Sequence, residues 1–116
     1  MVEELKAKWE RVVAVATERF SPGDPMDVDS LVFIVGLQEV NQPHQKWNKE
    51  EKLDLMHVGI CCLLEPLGYY RFDGRDADGW PHYTLLENLP HLKAGQQSLL
   101  MKEALVGYFE ENGWID

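Results

Sequence analysis

Four residues of one helical segment have the types and spacing for chemistry. Glu50, Asp54, His57 and Cys61 stand at i, i+4, i+7 and i+11, which aligns them as a single stripe. Carboxylate, imidazole and thiolate all ligate transition metals, and Asp54-x-x-His57 resembles half of a helical carboxylate–histidine metal site. A di-metal bundle repeats that motif on a second helix, and no second Asp/Glu-x-x-His occurs. Glu39 and His44 are the remaining candidates for outer ligands. The same stripe offers a second chemistry, with Asp54 orienting His57 as a general base and Cys61 or Cys62 as nucleophile. Ile60 and Leu63 flank the two thiols, and a thiol in apolar surroundings is inert. The plainer reading makes His57 a core-edge imidazole, largely buried and hydrogen-bonded within the protein to Asp54 or to a backbone carbonyl, Asp54 first, with Glu50 a solvated first-turn residue.

Other motifs carry less. Asp73-Gly74-Arg75-Asp76-Ala77-Asp78-Gly79 is superficially like a calcium loop. Aligning Gly79 with the glycine of an EF-hand puts Gly74 at the first ligand position and Leu85 where a bidentate Glu belongs, so the segment reads as a turn. Tyr69, Tyr70, Phe72, Trp80, His82 and Tyr83 crowd its flanks. They form an aromatic surface suited to cross-strand pairs or to a protein partner. No Gly-rich phosphate loop, Gly-x-Ser-x-Gly elbow or His-Glu-x-x-His motif is present.

These residues must be positioned by elements that the apolar pattern marks out. Residues 3–20 read as an amphipathic helix, with Leu5, Trp9, Val12, Val13, Ala16 and Phe20 on one side. Ser21-Pro22-Gly23-Asp24-Pro25 breaks it. Residues 27–40 are apolar on every face and rich in β-branched side chains, which also suits a buried strand. Their length and an N-cap at Asp27 favour a buried helix, closed by Pro43. A third helix opens at Asn48, where Glu51 completes a capping-box pattern, and ends at Pro66 and Gly68. Its apolar residues occupy two faces, one with Leu53, Met56, Ile60 and Leu64 beside His57, the other with Leu55, Val58 and Cys62, so a central helix covered on both faces is expected. Strands near 69–73 and 81–86 frame the Asp78-Gly79 turn. Residues 93–112 form the last helix, with Gly113 at its C-terminal cap. Gly36 and Gly59 fall inside the second and third helices, where each costs about 1 kcal/mol relative to Ala, and close backbone approach at a helix crossing explains both.

The expected fold is mainly α (α+β): four helices with a small antiparallel hairpin inserted before the last, in one domain spanning 1–116. Twenty Asp and Glu against eleven Lys and Arg leave a net charge of −9, which opposes phosphate backbones and anionic membranes alike. The longest uncharged apolar run, residues 31–37, is far short of the roughly 20 residues of a membrane span. Met1-Val2-Glu3-Glu4 is acidic and lacks the layout of a signal peptide, and the only cysteines, Cys61 and Cys62, are adjacent and badly placed for a disulfide. A cytoplasmic protein without cofactor is expected. The last helix adds a candidate interface. Leu92, Leu99 and Val106 recur every seven residues, nearly opposite a core face of Met101, Ala104, Leu105 and Tyr108. Such a seam invites a protein partner, above all a second copy in a dimer. The expected function is therefore a non-enzymatic protein–protein interaction or small structural subunit. The alternative is a small enzyme or metal-binding protein using the Asp54–His57 stripe.

Overall fold

The computed structural model describes residues 3–40 and 46–115. Among these residues the chain forms α1 (Glu3–Phe20), α2 (Val28–Val40), α3 (Lys49–Leu64), β1 (Tyr70–Arg75), β2 (Pro81–Leu85) and α4 (Ala94–Glu111). The fold is mainly α, with a two-stranded antiparallel hairpin before the last helix. No described helix is long and apolar enough to cross a membrane. Pro43 and His44 lie outside the described residues. The contacts gather into two compact units, one made of the chain up to Leu31 together with His91 onward, the other of Val32–Pro90.

In the first unit α1 packs on α4. Val12 and Ala16 of α1 and Leu105, Val106 and Phe109 of α4 are buried. Lys8 bridges to Glu110 at 3.0 Å, and the Lys102 ammonium stands 5.5 Å from the ring centre of Trp9. The chain end folds back on α4 because Gly113, at φ +72°, reverses it. The Gly113 amide donates to Glu110 and the Trp114 amide to Phe109, the paired bonds of a Schellman cap. Trp114 then packs edge-on against Phe109, with 5.1 Å between ring centres.

In the second unit α2 and α3 cross at backbone contact. A β-carbon on Gly36 would lie 2.0 Å from the Leu55 carbonyl oxygen, and one on Gly59 would lie 2.2 Å from that of Val32. The β-branched run 31–35 is thus helical, started by Asp27, whose carboxylate accepts the Ser30 amide at 2.8 Å. Asn48 caps α3 as its sequence foretells: it accepts from the Glu51 amide at 2.8 Å, and Glu51 accepts from the Asn48 amide at 3.0 Å. The crossing decides which face of α3 is core. Leu55, Val58 and Gly59 are buried, whereas Leu53 is 60% exposed. The expectation that both faces of α3 are covered therefore fails over its N-terminal half, because α2 needs the glycine side.

The hairpin packs on α3. Its register pairs Tyr70 with Leu85, Phe72 with Tyr83 and Arg75 with Pro81, with a bulge between Phe72 and Gly74. Arg71, Asp73 and Thr84 share the exposed face by strand alternation and pairing, and there Asp73 accepts from Arg71 at 2.9 Å and from the Thr84 hydroxyl. The turn is as expected, with Gly79 at φ +83°.

Candidate functional site

The stripe on α3 does not converge into a site. Glu50, Asp54 and His57 are all exposed, while Cys61 is 1% exposed. The expectation of a buried His57 with Asp54 as its partner is overturned, although the imidazole does have a partner within the protein. With the core on the Leu55–Val58–Gly59 side, His57 falls on the opposite side of the helix, in solvent. Its Nε2 lies 3.5 Å from Cys61 Sγ, and its ring stands edge-on to Tyr70 with 6.3 Å between centres. Hairpin residue Tyr70 thus covers Cys61 and borders His57.

Neither thiol is poised for nucleophilic work. Burial pushes Cys61 up to about 11. Burial, followed by the negative charge of Glu39, pushes Cys62 up to about 12. Both favour the protonated form at neutral pH, and a thiolate is the form that attacks or binds metal. Among the described residues, no three His, Cys, Asp or Glu side chains come together in a way that could hold a metal ion. Glu39, considered as an outer ligand, is turned to other partners, and His44 lies outside the described residues.

Those partners form a network the sequence did not disclose. Cys62 Sγ donates to Glu39 Oε1 at 3.4 Å. The Arg75 guanidinium reaches Glu39 Oε2 at 3.4 Å, and also donates to the Glu39 carbonyl and to the Gly79 carbonyl. The Glu39 carbonyl is among the last of α2, which have no partner within the helix, so Arg75 satisfies it while fastening the turn to the helix end. Tyr83 stands beside Cys62, and its hydroxyl is pushed well above the ordinary tyrosine range, first by burial and then by the neighbouring acid groups. Beneath lies an apolar cluster of Val40, Leu55 and Val58, to which Trp47 and Trp80 contribute edge-on rings 6.2 Å apart. The arrangement holds a hairpin on two helices. It presents no activated nucleophile.

The acidic turn is equally engaged. Asp76 Oδ1 accepts the amides of Asp78 and Trp80 at 3.0 Å each, and Oδ2 meets His82 Nε2 at 2.9 Å. The His82 contact, then the Trp80 amide, hold the Asp76 carboxyl below the usual carboxylate range.

The expected seam on α4 is not uniform: one of its three residues is core, and Leu92 and Leu99 are half-buried. Val106 is 4% exposed within the chain itself, Leu99 is half-buried, and Leu92 precedes the helix. At about 100° per residue Phe109 points between Leu105 and Val106, so the two apolar lines are edges of one wide core face rather than opposite sides. The large apolar side chains left in solvent lie elsewhere, all within Val32–Pro90: Leu53, Leu67, Phe72, Leu85, Leu86 and Leu89, from 42% to 60% exposed. Sequence pattern alone does not find them, because strand and turn leucines look the same whether covered or not. Comparison of the chain with family models, with curated proteins and with solved structures finds no match.

Proposed function

We propose that this protein is a non-enzymatic interaction module, a small subunit that works by docking on another protein. The observation that carries the reading is the surplus of exposed apolar side chains on the Val32–Pro90 unit. Isolated exposed leucines are ordinary on any surface. Here Leu67, Leu85 and Leu86 are each half-exposed, and the Leu86 amide donates to the Tyr69 carbonyl at 2.9 Å, which sets the backbone of the turn after α3 beside the end of β2. Grouped apolar side chains in solvent mark interaction surfaces. The rival reading, chemistry at Asp54 and His57, lacks both an activated thiol and a third ligand among the described residues. Two free thiols kept protonated by burial suit the reducing cytoplasm, where we place the protein.

The test compares two double variants, each verified as folded by circular dichroism. Leu67→Ser with Leu86→Ser is expected to abolish stoichiometric co-purification of a partner from the cells that make the protein, and Asp54→Ala with His57→Ala is expected to leave it intact. The opposite pattern, or stoichiometric metal in the purified protein that disappears with His57→Ala, would reverse the ranking of the two readings.

A further inference from the structure

The two edges of the hairpin are unequally guarded. The Leu86 amide donates to the Tyr69 carbonyl at 2.9 Å, and the Trp80 carbonyl accepts the Asp76 amide at 3.0 Å, so both ends of β2 turn these groups toward β1. The extra residue of the bulge, Asp73, belongs to β1, and β2 runs without interruption. Alternation then turns the amide and carbonyl of Tyr83 and of Leu85 away from β1. Among the described residues these groups meet no third strand and no backbone partner outside the hairpin. Thr84 and Leu85 are exposed, and from Pro81 to Leu86 the chain has no Lys, Arg, Asp or Glu. β1 differs. It carries the bulge and the charged Arg71, Asp73 and Arg75, the devices that keep a sheet edge from pairing. Its outward residues before the bulge are Tyr70 and Phe72, and self-pairing through both would set Arg71 against Arg71 of the other copy.

We propose that β2 pairs with β2 of a second copy, antiparallel about a two-fold axis at Thr84, joining two hairpins into a four-stranded sheet. In this register the strand is its own complement. Tyr83 of each copy faces Leu85 of the other, and each such pair exchanges two backbone hydrogen bonds, about four in all. The missing amide proton of Pro81 is not required. Tyr83 and Leu85 share the sheet face that packs on α3, so the new aromatic–aliphatic pairs cover surface of Leu85 that is half-exposed in the single chain. On the other face Thr84 meets Thr84 and His82 meets Leu86, with no like charges opposed. The small contact suits a reversible dimer, with a dissociation constant of about micromolar order or weaker. The inference goes beyond the docking reading and does not depend on it. Leu67 lies outside the paired strand, and Leu86 stays on the sheet face turned away from α3.

Sedimentation equilibrium of the full chain, from micromolar to millimolar concentration, is expected to pass from monomer to dimer. Leu85→Pro removes an outward amide that the hairpin does not use, a position where an edge strand tolerates proline. Leu85→Lys places a charge opposite Tyr83 of the other copy. Each is expected to weaken the dimer by about tenfold or more with circular dichroism unchanged, and Leu67→Ser is expected to leave it as it is. Oxidation with diamide reads the register. In Thr84→Cys the two α-carbons stand about 4.5 Å apart across the axis, within disulfide reach, whereas in Leu86→Cys they stand about 13 Å apart. A covalent dimer is expected from Thr84→Cys and none from Leu86→Cys. A chain that stays monomeric over the whole range, a dimer indifferent to both Leu85 variants, or equal cross-linking at positions 84 and 86 overturns the proposal. Capture of a foreign protein does not enter these readouts, so the dimer and the docking reading fail separately.

Discussion

Replacing Gly59 by Ala sets two effects of opposite sign against each other. In a free helix the change is favourable by about 1 kcal/mol, because Gly has the larger conformational entropy to lose. In this structure the new β-carbon would meet the Val32 carbonyl oxygen at 2.2 Å and Val32 Cγ1 at 3.1 Å. Ordinary C···O contacts are about 3.3–3.6 Å, so the helices must separate by about 1 Å at the crossing. A gap of that size forfeits roughly a quarter to a half of the dispersion energy of the contacts it opens. Val32 and Leu55, both buried, lie at that crossing. Overpacked cores lose typically about 1–3 kcal/mol, and a clash with backbone on a helix stands at the upper end. The expected net result is a loss of about 1–3 kcal/mol, read as a lowered urea midpoint with unchanged slope. Gly107 supplies the control: it is exposed within α4 and a β-carbon there meets nothing within 4 Å. Gly107→Ala is expected to stabilise by up to about 1 kcal/mol. If Gly59→Ala matches Gly107→Ala in sign, the close crossing, and with it the placing of Leu53 and His57 in solvent, is wrong.

Four further expectations follow from the geometry. The thiols, raised to about 11 and about 12, favour the protonated form in the folded chain, so their contribution is complete below the unfolded value of about 8.5 and declines as pH rises above it. Thiol-specific labelling at pH near 8 should proceed only through unfolding, and labelling of the folded protein at a free-thiol rate would contradict it. Asp76 has the reverse sign: its depressed value makes it stabilising above the unfolded value of about 3.9, and the contribution is lost as pH falls through the folded value. The Asp78 and Trp80 amide resonances should therefore hold steady down to pH of about 4 and move only below it, and a midpoint above that value would dissolve the argument. Gly79→Val forces a β-branched residue to φ +83° and should cost about 1–3 kcal/mol, whereas His57→Ala, at an exposed position, should change stability by no more than about 0.5 kcal/mol. A loss of more than about 2 kcal/mol from His57→Ala would restore the buried imidazole.

Local signals were the legible ones. Asn48 with Glu51, Asp27, Gly79 and Gly113 each fix a cap or turn through short-range hydrogen bonds or a positive φ, and all four act as their types require. The paired interior glycines were legible as well, since a glycine tolerated in two successive helices needs a reason, and the crossing supplies it. The side that each helix buries was harder to read. α3 has apolar residues on both sides, so periodicity cannot choose between Leu53 and Leu55, and the glycine crossing chooses for it. The same ambiguity made Leu92, Leu99 and Val106 resemble a separate seam, although Val106 belongs to the core. Asp54 and His57 stayed candidates only while their helix face was unknown. The Glu39–Arg75–Cys62 link joins residues far apart in sequence, and no spacing rule encodes it.

The most direct test of the docking account is site-specific photo-crosslinking of the full chain in the cells that make it. A benzophenone side chain replaces either Leu86, half-exposed at the hairpin base, or Asp54, exposed on α3. The account predicts one discrete cross-linked protein from position 86, suppressed by Leu67→Ser, and no protein adduct from position 54. A discrete adduct from position 54 with none from position 86 would contradict it.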